Sequence, residues 1–164
     1  MQLQIKPITE FDRPWMQELL QTFWGSTRVV SRGRLHQADQ QPGFVAELWG
    51  QKVGLVTYQL EGDQAEIVTL ASLVERQGAG TALVEAVRQA AQRAGCRRLW
   101  LITTNDNLSA LRFYQRRGFV LVQLHPNAVA QSRRLKAEIP RVGQYGIPIR
   151  DEIELELLLT TTIK

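Results

Sequence analysis

The sequence predicts a mixed α/β fold, a central sheet of about seven strands flanked by helices. Three observations carry that expectation: three strand-like runs joined by tight turns, a switch to helical spacing between Gly80 and Gly95, and a glutamate/aliphatic alternation near the C-terminus.

Each element has a local reason. Leu3-Gln4-Ile5-Lys6 alternates like a strand and is closed by Pro7, and Thr9 to Asp12 offer a helix start with Pro14 near the first turn. Trp15, Met16, Leu19, Leu20 and Phe23 recur at helical spacing up to Gly25. Residues 24–42 are polar and basic, with only Val29, Val30 and Leu35 as anchors, and read as a loop or irregular helix. Gly43 to Trp49, Val53 to Leu60 and Ala65 to Leu70 read as antiparallel strands, separated by Gly50-Gln51-Lys52 and Glu61-Gly62-Asp63.

Leu83, Val84, Val87, Ala90, Ala91 and Ala94 then mark one face of a helix, and Leu99-Trp100-Leu101-Ile102 is apolar throughout, as a strand covered on both faces would be. Strand, helix and strand in that order imply a parallel crossover. A second helix, Leu108 to Arg117, ends at Gly118 and is followed by a strand from Phe119 to Leu124. The stretch from His125 to Arg150 is irregular, with a helix around Ala128 to Lys136. Ile153, Leu155, Leu157 and Leu159 alternate with Glu152, Glu154 and Glu156 in a half-buried closing strand.

Composition narrows the class. A chain of 164 residues fits one domain, and 44% hydrophobic with 22% charged residues is ordinary for a globular protein. No apolar run reaches the roughly 20 residues that span a bilayer, and the N-terminus lacks a signal peptide's apolar region, so a cytoplasmic location is expected. The single cysteine, Cys96, reads as structural, and no Cys/His spacing implies a metal. The net charge of +4 is scattered in short groups, which disfavours nucleic acid as a partner and suits the steering of a phosphorylated small molecule. A homodimer is compatible with the sequence, through the closing strand or the 125–150 segment.

The most informative segment is Gly78-Ala79-Gly80-Thr81, between a strand and a helix. Glycines there let backbone N–H groups turn toward an anion at the positive end of a helix, although two glycines can also be a plain helix start. There is no third glycine at Leu83 for a dinucleotide fingerprint and no lysine for a P-loop.

Glu66 to Leu70 followed by Glu75-Arg76-Gln77-Gly78-Ala79-Gly80-Thr81-Ala82-Leu83 resembles the acyl-CoA signature of the GNAT superfamily of N-acetyltransferases. Asn107-Leu108-Ser109-Ala110-Leu111-Arg112-Phe113-Tyr114 through Gly118-Phe119 is similar to that family's second signature. The resemblance is tight over residues 64–120. It departs at Glu75, where the family usually has Gln or Arg, and Arg76 or the backbone amides are the substitutes for that charge.

The resemblance implies a GNAT-like acyl-CoA N-acyltransferase fold that moves an acetyl group from acetyl-CoA to a small amine by direct attack. The pyrophosphate would lie on amides of Gln77, Gly78, Ala79, Gly80 and Thr81, and the thioester between Ala65–Leu70 and Leu99–Thr103. A strand N–H near Leu70 would hold the carbonyl oxygen. Tyr114 matches the tyrosine that protonates the departing thiolate, the alternative being a core tyrosine. The general base is either Glu66 or His125. Asn107 caps its helix or touches cofactor. Arg28, Arg32 and Arg34, with His36, form a basic group that either binds an anionic acceptor or is solvated surface. Two rival readings remain at this level: a non-catalytic acyl-CoA-binding module and a basic nucleic-acid-binding domain.

Overall fold

The computed structural model describes residues 2–160. In chain order the elements are β1 (Leu3–Pro7), α1 (Arg13–Trp24), β2 (Arg28–Ser31), β3 (Arg34–Gln37), β4 (Gly43–Leu48), β5 (Gln51–Glu61), β6 (Gln64–Ser72), α2 (Ala79–Arg93), β7 (Arg98–Thr104), α3 (Leu108–Arg116), β8 (Val120–His125), α4 (Ala128–Leu135) and β9 (Glu152–Leu158). Seven strands form one sheet in the order β1-β4-β5-β6-β7-β9-β8, and β2-β3 form a separate ribbon. Every neighbour in the large sheet is antiparallel except β6 and β7, which are parallel as the crossover through α2 requires.

The amphipathic patterns sort the helices onto two faces. Leu83, Val84, Val87 and Ala91 of α2 pack with Val56, Ile67, Leu99, Leu101 and Leu155 on one face, where Tyr114 of α3 is also buried. Met16, Leu19 and Leu20 of α1 cover Val45, Leu55 and Ala71 on the other. Leu20 and Leu83 are fully buried, so truncating either to alanine removes about 2–5 kcal/mol.

The segment 24–42 corrects the sequence reading. It is neither loop nor irregular helix but a β-hairpin followed by a 3-10 turn at Ala38–Gln40. Ser31 pairs with Arg34, leaving Arg32-Gly33 as a two-residue turn with φ of +48° and +72°. That is the backbone of the favoured hairpin turns, which usually carry Asn-Gly or Asp-Gly, and an arginine in the first place disguised it.

Two features of β6 shape everything that follows. Its pairing with β5 contains a bulge at Val68, between the Thr57–Thr69 and Tyr58–Ile67 pairs. Its pairing with β7 runs only from Gln64–Arg98 to Ile67–Leu101, although β6 continues to Ser72 and β7 to Thr104. Beyond Ile67 the two strands separate.

Candidate active site

Where β6 leaves β7 a cavity of about 880 Å³ opens, lined by Val68, Leu70 and Ser72 on one side and Leu101 to Thr104 on the other. The backbone of β6 presents hydrogen-bonding groups to it. Leu73 donates to the Val53 carbonyl at 2.7 Å, and the alternation of an antiparallel ladder then turns Leu70 and Ser72 toward the separated β7. Leu70 therefore has its amide facing the cavity.

The glycine turn closes one end of this space. Gly78 adopts φ of +78°, which a side chain would strain, and α2 starts immediately after it. The first intrahelical bond runs from Ala82 N–H to the Gly78 carbonyl at 3.0 Å, leaving the amides of Ala79, Gly80 and Thr81 without an acceptor among the described residues. With the helix dipole behind them they form an anion-receptive surface. Gly80 and Glu75 line the cavity, whereas Arg76 and Gln77 lie exposed outside it. A cation that the sequence did not single out reaches the turn. Arg117 places Nε and Nη2 at 2.9 and 2.6 Å from Thr81 Oγ1, with its guanidinium stacked over the Phe113 ring at 3.6 Å. Its only advance signal is its place one turn after Phe113.

Tyr114 also lines the cavity, its ring held edge-on between Phe113 and Phe119 at 5.1 and 5.3 Å. Burial pushes its phenol well above the usual range, so it is protonated at neutral pH. Asn107 is the N-cap of α3, its Oδ1 accepting from Ala110 N–H at 3.1 Å, and it lines the same cavity.

The opposite end is built from side chains of the hairpin, α4 and β9. Glu66 is buried and accepts from the Ser31 hydroxyl at 2.6 Å. Its Oε1 lies 3.6 Å from Nε2 of buried His36, whose Nδ1 meets Gln59 Oε1 at 3.0 Å. Burial pushes the Glu66 carboxyl up to about 7, against the opposing pull of Ser31 and Arg34 and with help from the charges of Glu152 and Glu154. Burial also lowers His36, so this contact is not an ion pair at neutral pH. Glu152 is a second buried carboxylate on the cavity wall, accepting from Ser132 Oγ at 3.0 Å. Lys136 donates to the carbonyls of Trp24 and Arg28 at 2.7 and 3.0 Å, and burial lowers its pKa. Nothing in the sequence marked Glu152 or Lys136: one is the first of three alternating glutamates, the other follows two arginines.

Arg28, Arg32, Arg34 and His125, like Arg76 and Gln77, lie elsewhere. None of Arg28, Arg32 and Arg34 lines the cavity. Arg34 is paired with exposed Glu61 and Arg32 approaches Glu152, so these two guanidiniums face carboxylates of the protein itself. His125 meets Glu154 Oε1 at 3.1 Å and does not line the cavity, whereas Glu66 does. Cys96 is buried, with its thiol pushed up by burial and by Asp63, as a structural cysteine should be. No group of three or more metal-ligating side chains occurs among the described residues, and no described helix is long and apolar enough to cross a membrane.

The site thus lies in a mixed α/β sheet opened at one parallel pair, with an anion-receptive helix start at one end and a buried phenol and carboxylates beyond it. The sequence profile of the acetyltransferase (GNAT) family matches residues 6–119, and the chain belongs to that family. It is 41% identical over 150 residues to YdhI, an uncharacterized protein of Bacillus subtilis, covering 91% of this chain and 94% of that one. The fold is similar to that of an IAA acetyltransferase from Bacillus cereus, with a TM-score of 0.73 and 20% identity over 96% of this chain and all of that one. A GNAT acetyltransferase from Elizabethkingia anophelis with acetyl-CoA bound superposes with a TM-score of 0.69 at 20% identity, covering 96% of this chain and 98% of that one.

Proposed function

We propose that the protein is an acetyl-CoA-dependent N-acetyltransferase, acting in the cytoplasm as one domain, that acetylates a small amine within a ternary complex. The observation that carries this reading is that Glu66 and Tyr114 line the same cavity that receives the unpaired edge of β6. The amides of the glycine turn and the nearby Arg117 would hold the cofactor's pyrophosphate. The pantetheine chain would lie between β6 and β7, using the Leu70 and Ser72 backbone in place of the missing strand partner.

Starting from the ammonium, Glu66 accepts the first proton, a task that a carboxyl near 7 performs at neutral pH. The freed lone pair attacks the thioester carbon and forms the C–N bond, while the Leu70 N–H stabilises the carbonyl oxygen. Collapse of the tetrahedral intermediate breaks the C–S bond, Tyr114 gives the thiolate its proton, and the second amine proton restores the phenol through solvent. Each turnover releases one proton to solvent from Glu66.

Isothermal titration with acetyl-CoA, followed by a free-thiol assay over a panel of amines, tests the reading. Binding with thiol release supports it. Binding without release from any amine would convert the protein into an acyl-CoA-binding module, and absence of binding would point back to Glu75 at the cavity wall.

A further inference from the structure

If the protein transfers acetyl groups as proposed above, the end of the cavity remote from the glycine turn decides which amine it accepts. Its walls are apolar, formed by Phe23, Trp24, Val29, Val30, Ile139 and Ile149. The charged groups on them are Glu66, Glu138, Glu152 and Lys136. Lys136 already has its ammonium between two carbonyls, and the three hairpin arginines are not on the lining. An acceptor carboxylate entering here would meet buried acids and, among the described residues, no uncommitted cation.

Glu152 is the feature that calls for a ligand. Its side chain is 3% exposed, and while Oε2 accepts from Ser132, Oε1 has no hydrogen-bond partner among the described residues. The cation recorded against Oε1 is Arg32 Nη1 at 3.6 Å, a contact without a hydrogen bond, from a side chain that is 37% exposed on the hairpin turn. A buried carboxylate left so incompletely matched is costly, and a positive group arriving in the cavity would complete it. That group cannot be the reacting ammonium itself, because holding its charge would oppose the proton loss that attack requires.

We propose that the acceptor is a small primary amine carrying a second, fixed positive centre, and that Glu152 Oε1 binds that centre while Glu66 takes the proton from the reacting nitrogen. A short aliphatic diamine has this chemistry: two ammonium groups on a body that suits the apolar walls. The two carboxylates thereby divide the work, one anchoring and one abstracting. Arg32 competes with the substrate for Glu152, so the hairpin turn tunes affinity from outside the cavity.

The test is a steady-state thiol-release assay at saturating acetyl-CoA with putrescine, butylamine and γ-aminobutyrate, which share a four-carbon chain and end in ammonium, methyl and carboxylate. Putrescine should show a KM about 10-fold or more below butylamine, and γ-aminobutyrate should be the poorest of the three. Glu152→Gln should raise the putrescine KM about 10-fold with a much smaller change in kcat, bringing the putrescine-to-butylamine ratio toward one. Arg32→Asn, suited to the positive φ of that turn, should lower the putrescine KM, a change of opposite sign that does not depend on how well Glu152→Gln folds. Preference for γ-aminobutyrate, equal KM values for putrescine and butylamine, or a Glu152→Gln effect that falls equally on both amines would overturn the acceptor proposal while leaving acetyl transfer intact. No thiol release from these three or from a broad amine panel would instead refute acetyl transfer, and the acceptor proposal with it.

Discussion

The two ends of the cavity are made of different material. The end at the glycine turn is backbone: helix-start amides, a left-handed Gly78 and the unpaired edge of β6. The far end is side chain: Glu66, Glu152, Ser31, Ser132 and Lys136, converging from β6, β9, the hairpin and α4. Backbone groups serve any sequence that keeps the turn and the strand separation, so the first end suits a ligand common to a whole family. Side chains can be exchanged one at a time, so the second suits a ligand private to this protein.

Substitutions at each end should therefore separate in their kinetics, and those where the ends meet should not. Tyr114→Phe is expected to have the largest effect, lowering kcat about 10²- to 10⁴-fold with little change in acetyl-CoA binding by titration. Unchanged turnover would return Tyr114 to the role of a core residue.

Glu66→Gln should lower kcat about 10²-fold and abolish the rise of kcat/KM through pH about 7. It also has a stability signature. Folding raises the Glu66 carboxyl from the ordinary 4.5 to about 7, so the fold favours its neutral form. The wild type loses that stability as pH climbs from 4.5 to 7. Glu66→Gln should consequently be more stable than wild type by about 3 kcal/mol at pH 8 and no more stable at pH 4. Denaturant melts at the two pH values measure the difference, and an equal shift at both would show that ionisation is not its origin.

Changes confined to the backbone-built end should be smaller and should spare the acceptor. Gly78→Ala, by imposing a side chain at φ of +78°, should cost about 1–2 kcal/mol and weaken acetyl-CoA binding. Arg117→Gln should raise the acetyl-CoA Kd about 3- to 10-fold, more at low salt than at high, with the acceptor KM unaltered. The smallest effect is expected at His125: an alanine there should leave the pH–rate profile in place, and a displaced limb would restore it as a base.

The same division explains what the sequence disclosed. The glycine turn, the α2 crossover and the α3 signature are local in the chain and governed by backbone rules, and Leu70, Gly80, Asn107 and Tyr114, all legible as candidates, line the cavity. Glu66 was legible as a candidate because it opens the strand before that turn. Its burial was not, since Ser31 and His36 reach it from a hairpin 30 to 35 positions earlier whose turn residue, Arg32, is atypical. Glu152 and Lys136 were invisible for a related reason: their roles arise from packing between β9, α4 and the hairpin, and packing leaves no periodicity to read. The same cause misled the reading of Arg28, Arg32 and Arg34, whose clustering in sequence has no counterpart on the cavity wall.

The short seam between β6 and β7 has a mechanical consequence. Four residue pairs, Gln64–Arg98 to Ile67–Leu101, hold the meander β1-β4-β5-β6 to the group β7-β9-β8. Above them the two strands share no ladder, and the halves of the sheet are joined through α2 and its core and through the Lys136 bonds to the Trp24 and Arg28 carbonyls. A ligand lying between the strands acts as a removable rung, and its amide partners should exchange hydrogen quickly when it is gone and slowly when it is bound. Glu66 sits on the seam itself and Glu152 on the far half. On the function proposed above, acetyl-CoA loaded between the strands would bear on the spacing of Glu66 and Glu152, and ordered substrate binding is the expected kinetic pattern.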